Sequence, residues 1–107
     1  MELARKKLGL MLSTAPEHPN LATALGLAEA ALDRGADVYL YLIDDGVRAL
    51  ANDRLRALPK RGAKLFACAY GCQKRRIPLE DAADVTYCGL VVLTDIINGT
   101  DRFISLN

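Results

Sequence analysis

The 107-residue sequence contains no tryptophan, one histidine and three cysteines. An odd number of cysteines without regular spacing is not typical of a disulfide framework, so we expect a reduced protein of the cytoplasm. One histidine and three cysteines also lack the paired spacing of a zinc site, so we expect no metal. The loop at residues 14–20, TAPEHPN, has no glycine and therefore does not match a phosphate-binding loop.

The sequence also lacks an excess of charge of either sign, because its 14 Lys and Arg residues nearly balance its 13 Asp and Glu residues. Such a chain has no overall field to attract nucleic acid or an anionic membrane, and we expect it to bind neither directly. No run approaches the roughly 20 apolar residues that span a bilayer. The basic residues 5–7 and the apolar run after them resemble a secretion signal, but cleavage near Ala15 would remove the first predicted strand. We expect that segment to be part of the fold.

What the sequence does have is enough apolar content for one well-packed domain, which we assign to residues 1–107. Hydrophobic residues make up 51% of the chain and charged residues 25%, a composition typical of globular domains. Short apolar runs alternate along the chain with segments of helical period. Strands are predicted at residues 7–13, 37–43, 63–67, 84–88 and 102–106. Helices are predicted from Leu21 to a stop at Gly35, over Val47–Leu55, between Cys68 and Pro78, and from about Leu90 to Gly99.

The last helix has an alternative, because Asn98-Gly99 is a strong signal for a two-residue hairpin. The same Gly99 could instead close a helix. We favour the helix because it preserves the alternation of strand and helix.

Strands that alternate with helices predict an α/β fold with a mostly parallel sheet covered on both faces. For five strands we expect a flavodoxin-like three-layer sandwich with a strand order of about 2-1-3-4-5. Ligands and reactive groups in such sheets gather at the carboxyl ends of the strands, where the winding reverses. In that order the crevice lies between strands one and three, which end in Ser13-Thr14 and Cys68.

Cys68 is therefore the main candidate for chemistry, as a nucleophile at a strand end and at the start of a short helix. Backbone N–H groups at a helix start carry partial positive charge and favour a thiolate there. Cys72 follows four residues later and would lie on the same helical face, which allows a resolving thiol or a transient disulfide. For both residues the alternative is a small buried side chain, since cysteine is among the most buried residue types.

Further residues could line the same crevice. Cys88 ends the fourth strand, although core packing would also explain it, and His18 could overhang the crevice or lie in solvent. Asp44-Asp45 invites comparison with phosphoacceptor pairs, but it follows the second strand and not the first, so capping and turn formation explain it better.

The order of these segments resembles the DsrE/DsrF-like sulfur-relay proteins, which include the TusD-type subunits. The resemblance covers nearly the whole chain, and no single motif in it is very specific. It consists of a strand followed by STAPEHPN, an alanine-rich helix and a strand ending in Asp-Gly, the segment KLFACAYGCQKRRI, and the closing GLVVLTDIINGTDRFISL.

The resemblance implies that Cys68 carries sulfur as a persulfide and that no cofactor is bound. It also implies sulfur-donor and sulfur-acceptor proteins as partners, and a homo-oligomer, often a trimer or hexamer, or a hetero-oligomer of related subunits. Some family members lack the cysteine and act only as scaffolds. A role for Cys72 is not implied by the family, so three hypotheses stay open: a sulfur carrier at Cys68, a non-catalytic oligomeric scaffold, and a dithiol redox protein that uses Cys68 and Cys72.

Overall fold

The computed structural model describes residues 4–80 and 83–107, and its strands and helices follow the predicted order. The strands are β1 (Lys7–Leu12), β2 (Asp37–Leu42), β3 (Lys64–Cys68), β4 (Val85–Cys88) and β5 (Arg102–Leu106). The α-helices are α1 (Asn20–Asp33), α2 (Asp53–Arg56), α3 (Ala69–Lys74) and α4 (Leu90–Gly99), with 3-10 helices at Asp44–Ala51 and Leu58–Arg61. The prediction of a helix over 90–99 in place of a hairpin is confirmed.

All five strands are parallel, but their order is β4-β3-β2-β1-β5. The predicted order of about 2-1-3-4-5 is therefore wrong, because it places β2 at an edge of the sheet. Four side chains of β2 are buried, namely those of Val38, Leu40, Tyr41 and Leu42. Such burial is typical of a central strand covered on both faces. The strands at the two edges, β4 and β5, are short and more exposed.

The helices form two unequal layers. On one face, α1 packs on β1 and β2, and α3 packs on β3 and on the first 3-10 helix. On the other face, α4 is the only helix among residues 4–80 and 83–107; it crosses the sheet from β4 to β5 and contacts β1 and β5. The side chains of β1 alternate accordingly, since Leu10 and Leu12 are buried in the main core while Gly9 faces Ile96 of α4.

Two glycines allow close approach between these elements. A Cβ at Gly9 would lie 2.8 Å from Cδ1 of Phe103 and 3.0 Å from Cγ2 of Ile96, so glycine lets α4 settle on β1. A Cβ at Gly46 would lie 2.0 Å from the carbonyl oxygen of Leu12. Glycine at this position therefore allows the backbone of the 3-10 helix Asp44–Ala51 to pack directly against the end of β1. Among the helices that the structure describes, none has the length and apolar character needed to cross a membrane.

Candidate functional site

The connections of the sheet diverge at its carboxyl edge between β3 and β4. These strands are neighbours, and the chain leaves β3 into α3 on one face and β4 into α4 on the opposite face. Loops that diverge in this way from adjacent parallel strands form the switch point at which ligands and reactive groups gather. The crevice expected between strands one and three is absent because β2 separates those strands.

Cys68 and Cys88 end the two strands and are register partners in the β3–β4 ladder. Partners in a parallel ladder point to the same face of the sheet, and adjacent strands lie about 4.8 Å apart. Cys68 retains 7% of its surface, and Cys88 beside it is partly exposed. The structure thus brings two thiols together where the sequence predicted one reactive cysteine and one crevice residue.

The Cys68 side chain caps α3. Its Sγ accepts a hydrogen bond from the backbone N–H of Gly71 at 3.4 Å. A hydrogen bond of this kind strengthens when the sulfur carries negative charge. The cap therefore holds the sulfur in place at the start of α3.

Tyr41 of β2 closes the bottom of the site. Its ring is fully buried, and its hydroxyl donates a hydrogen bond to the carbonyl oxygen of Gly89 at 3.0 Å. Burial raises the pKa of Tyr41, and the two neighbouring sulfurs raise it further. Tyr41 therefore stays a neutral donor that links β2 to the start of α4.

The partly exposed thiol of Cys88 is also perturbed. Burial raises the pKa of Cys88, the hydrogen bond from Tyr41 opposes that rise, and the sulfur of Cys68 adds to it. Cys88 is consequently a thiol and not a thiolate at neutral pH.

Cys72 lies in α3 and is completely buried. Burial raises the pKa of its thiol, Cys68 adds to the rise, and Arg75 opposes it. Arg75 itself donates to Asp45 at 2.9 Å and to the carbonyl oxygen of Gly71 at 3.2 Å. These contacts tie α3 to the first 3-10 helix, so Asp45 has a structural partner.

The other predicted crevice residues lie elsewhere. The N–H and the hydroxyl of Ser13 both donate hydrogen bonds to the carbonyl oxygen of Leu106 in β5, at 3.1 and 3.5 Å. The hydroxyl of Thr14 is buried without a hydrogen-bond partner among residues 4–80 and 83–107. His18 is exposed, and its Nδ1 accepts from the N–H of Asn20 at 3.0 Å. The structure does not bring these three residues to Cys68.

Tyr41 was missed by the sequence analysis, and so was the pairing of the two thiols. A signal was present, because each cysteine is the last residue of its strand and the two strands follow each other in the chain. Consecutive strands are usually neighbours in space, which would have placed the two cysteines side by side.

Exposed apolar side chains follow both cysteines in the chain. Tyr70 follows Cys68 at the start of α3, while Leu90 and Val91 begin α4 just after Cys88; the exposure of Val91 reaches 76%. Exposed apolar side chains of this size next to a candidate reactive group are candidates for contact with a partner protein. No three metal-ligating side chains form a cluster within the described part of the chain.

Comparison with known proteins gives a consistent assignment. The sequence profile of the DsrE/DsrF-like family matches residues 6–106. The structure is similar to that of the ychN protein from E. coli, with a TM-score of 0.81 and 19% identity over 94% of this chain and 99% of that one. It is also similar to the conserved protein of unknown function BT1422 from Bacteroides thetaiotaomicron, with a TM-score of 0.71 and 19% identity over 94% of this chain and 95% of that one. The comparison with curated protein sequences gives no match.

Proposed function

The chain belongs to the DsrE/DsrF-like family, and we propose that it is a sulfur carrier of the cytoplasm that accepts and passes on sulfur as a persulfide on Cys68. The observation that carries this proposal is the position of the Cys68 sulfur at the β3–β4 switch point, held by the N–H of Gly71. Ligands and reactive groups in parallel sheets gather at such a position.

The transfer is a thiol exchange in kind. The thiolate of Cys68 attacks the outer sulfur of a donor persulfide, a new S–S bond forms, and the S–S bond of the donor breaks. The donor cysteine leaves as a thiolate and takes up the proton that Cys68 lost. Passing the sulfur on repeats this step with an acceptor thiol as the nucleophile.

The partners in this proposal are a sulfur-donor protein and a sulfur-acceptor protein that dock on the apolar rim of the crevice. Cys68 is largely covered, whereas the exposed Tyr70, Leu90 and Val91 offer a partner an apolar contact beside it in the chain. Burial of this rim would contribute about 25 cal/mol per Å² to docking.

A second candidate is an oligomeric scaffold, and the α4 face of the sheet favours it. Only one ten-residue helix covers five strands there, and Met11, Tyr39 and Phe66 beneath it are only partly buried. We propose that copies of this chain, or related subunits, associate through this face as a trimer or hexamer. Association and sulfur transfer are compatible, but a scaffold alone would not need a reachable Cys68.

The persulfide reaction tests the two candidates directly. The reduced protein is mixed with glutathione persulfide and weighed by intact-mass spectrometry at the earliest times. We expect one added sulfur on the wild type and on the control Cys72→Ala, and none on Cys68→Ser. Sulfur that survives the loss of Cys68 would contradict the carrier mechanism.

A thiol titration with and without denaturant completes this test. We expect Cys72 to react only after denaturation, because it is fully buried. If Cys68 is equally unreactive in the folded protein, and no sulfur is added from the persulfide, the scaffold is the better description.

A further inference from the structure

We propose that Cys88 is the resolving thiol of this site: it attacks a persulfide on Cys68, releases the outer sulfur as hydrosulfide and closes a Cys68–Cys88 disulfide. This inference rests on the proposed sulfur-carrier function. It gives the site a second reacting residue and a means of discharging sulfur without an acceptor protein.

The geometry of the two strand ends carries the inference. Cys68 and Cys88 are Cα partners in the ladder, so their side chains leave the sheet on the same face. Adjacent strands lie about 4.8 Å apart, and disulfides join Cα atoms that are roughly 4.4–6.8 Å apart. The two sulfurs can therefore bond with side-chain rotation and little movement of the backbone.

The surroundings of the pair point in the same direction. The hydroxyl of Tyr41 donates to the carbonyl oxygen of Gly89, the residue after Cys88, at 3.0 Å, and the sulfurs of Cys68 and Cys88 both raise the pKa of Tyr41. Cys88 is partly exposed, so its thiol can pass its proton to water before it attacks. Gly89 follows directly, and a Cβ added there would meet no atom within 4 Å, so the chain beside Cys88 has room to adjust.

Cys72 is the competing resolving thiol, and its environment is less suitable. It is completely buried in α3, so water does not reach its thiol to take up the proton that the attack releases.

The reaction balances without an added oxidant. The Cys88 thiol loses its proton to water, and its sulfur attacks Sγ of Cys68. The bond between Sγ and the outer sulfur breaks, and the outer sulfur leaves as hydrosulfide with the electron pair of that bond. The outer sulfur is reduced and the two cysteines are oxidised to the disulfide, which a small thiol such as glutathione then reduces by exchange.

The experiment follows sulfide release and disulfide formation together. Wild type, Cys88→Ala and the control Cys72→Ala are loaded with glutathione persulfide, freed of excess reagent and incubated. We expect wild type and Cys72→Ala to release one hydrosulfide per loaded chain and to yield a Cys68–Cys88 disulfide on non-reducing peptide mapping. We expect Cys88→Ala to keep its sulfur and release none.

The outcomes separate this inference from the function on which it rests. If wild type and Cys88→Ala both take up sulfur and hold it equally long, or if the mapped disulfide joins Cys68 to Cys72, the role of Cys88 is refuted while the carrier function stands. If no variant takes up sulfur, the carrier function fails, and the thiol oxidant diamide then tests the pair on unmodified wild type. A Cys68–Cys88 disulfide in that arm supports the pairing, and its absence overturns it. Cys88→Ser serves as the second variant where Cys88→Ala does not fold.

Discussion

Replacing Tyr41 by phenylalanine removes one oxygen atom from the centre of the site and leaves the buried ring in place. The hydroxyl donates to the carbonyl oxygen of Gly89 and lowers the pKa of Cys88 against the opposing effect of burial. Tyr41→Phe should therefore change both the stability of the fold and the reactivity of one thiol.

The size of the stability change follows from the environment of the acceptor. An intramolecular hydrogen bond between neutral groups contributes about 1 kcal/mol net to stability. Gly89 is an exposed residue, so water can replace the lost donor and no buried acceptor is left unpaired. We expect Tyr41→Phe to lower the free energy of unfolding by about 1 kcal/mol, which corresponds to about 4 °C in Tm for a domain of this size.

The effect on Cys88 has a definite sign. Without the Tyr41 donor, the pKa of Cys88 rises further above its ordinary value, so less thiolate is present at neutral pH and alkylation by iodoacetamide slows. Urea denaturation and peptide-resolved alkylation measure the two effects. Tyr39→Phe is the matched control, since Tyr39 lies two residues earlier on the same strand and faces α4. Equal stability and equal Cys88 alkylation in Tyr41→Phe and wild type would refute the role given to the hydroxyl.

Two further predictions concern the buried thiol and the α4 face. Burial raises the pKa of Cys72 above its ordinary value of 9.0. The thiol therefore ionises at lower pH in the unfolded chain than in the folded protein. The contribution of Cys72 to stability is complete below pH 9.0 and is lost as the pH rises through the raised pKa. Urea denaturation under reducing conditions measures the free energy of unfolding at about pH 7 and about pH 10. We expect this free energy to decline between the two pH values, and to decline less in Cys72→Ala. An equal decline in wild type and variant would exclude Cys72 as its source. If copies associate through α4, then Ile97→Lys, at a side chain 46% exposed, should shift sedimentation towards monomer, while Ala22→Lys on the opposite layer should not. A monomeric wild type would contradict this association.

The elements of the fold could be predicted from the sequence because their signals are local. Apolar runs and helical spacing placed all five strands to within two residues at either end. The glycine stop after α1 was also correct, since Gly35 adopts a φ of +86° that other residues rarely adopt. Such features depend on the chemistry of a few consecutive residues and not on what packs against them.

The strand order could not be predicted in the same way because it depends on burial on both faces at once. The sequence of β2, DVYLYL, is typical of a strand in either order, and only the burial of four of its six side chains on both faces identifies it as central. The same difficulty explains why Tyr41 was missed. An aromatic residue within an apolar strand is typical of a core, and its function at the site depends on Gly89, which is 48 residues away in the chain.

The corrected strand order changes the neighbour of Cys68 on one side only. Both orders place β4, and with it Cys88, beside β3. An order of 2-1-3-4-5 would place Ser13 and Thr14 of β1 on the other side, whereas the observed order places β2 with Tyr41 there. A thiol beside a thiol can store two electrons as a disulfide as well as carry a sulfur atom. A carrier built this way is discharged either by an acceptor protein or by its own second cysteine. The time for which Cys68 holds its sulfur is then set by how readily Cys88 loses its proton, a property that burial and Tyr41 control in opposite directions.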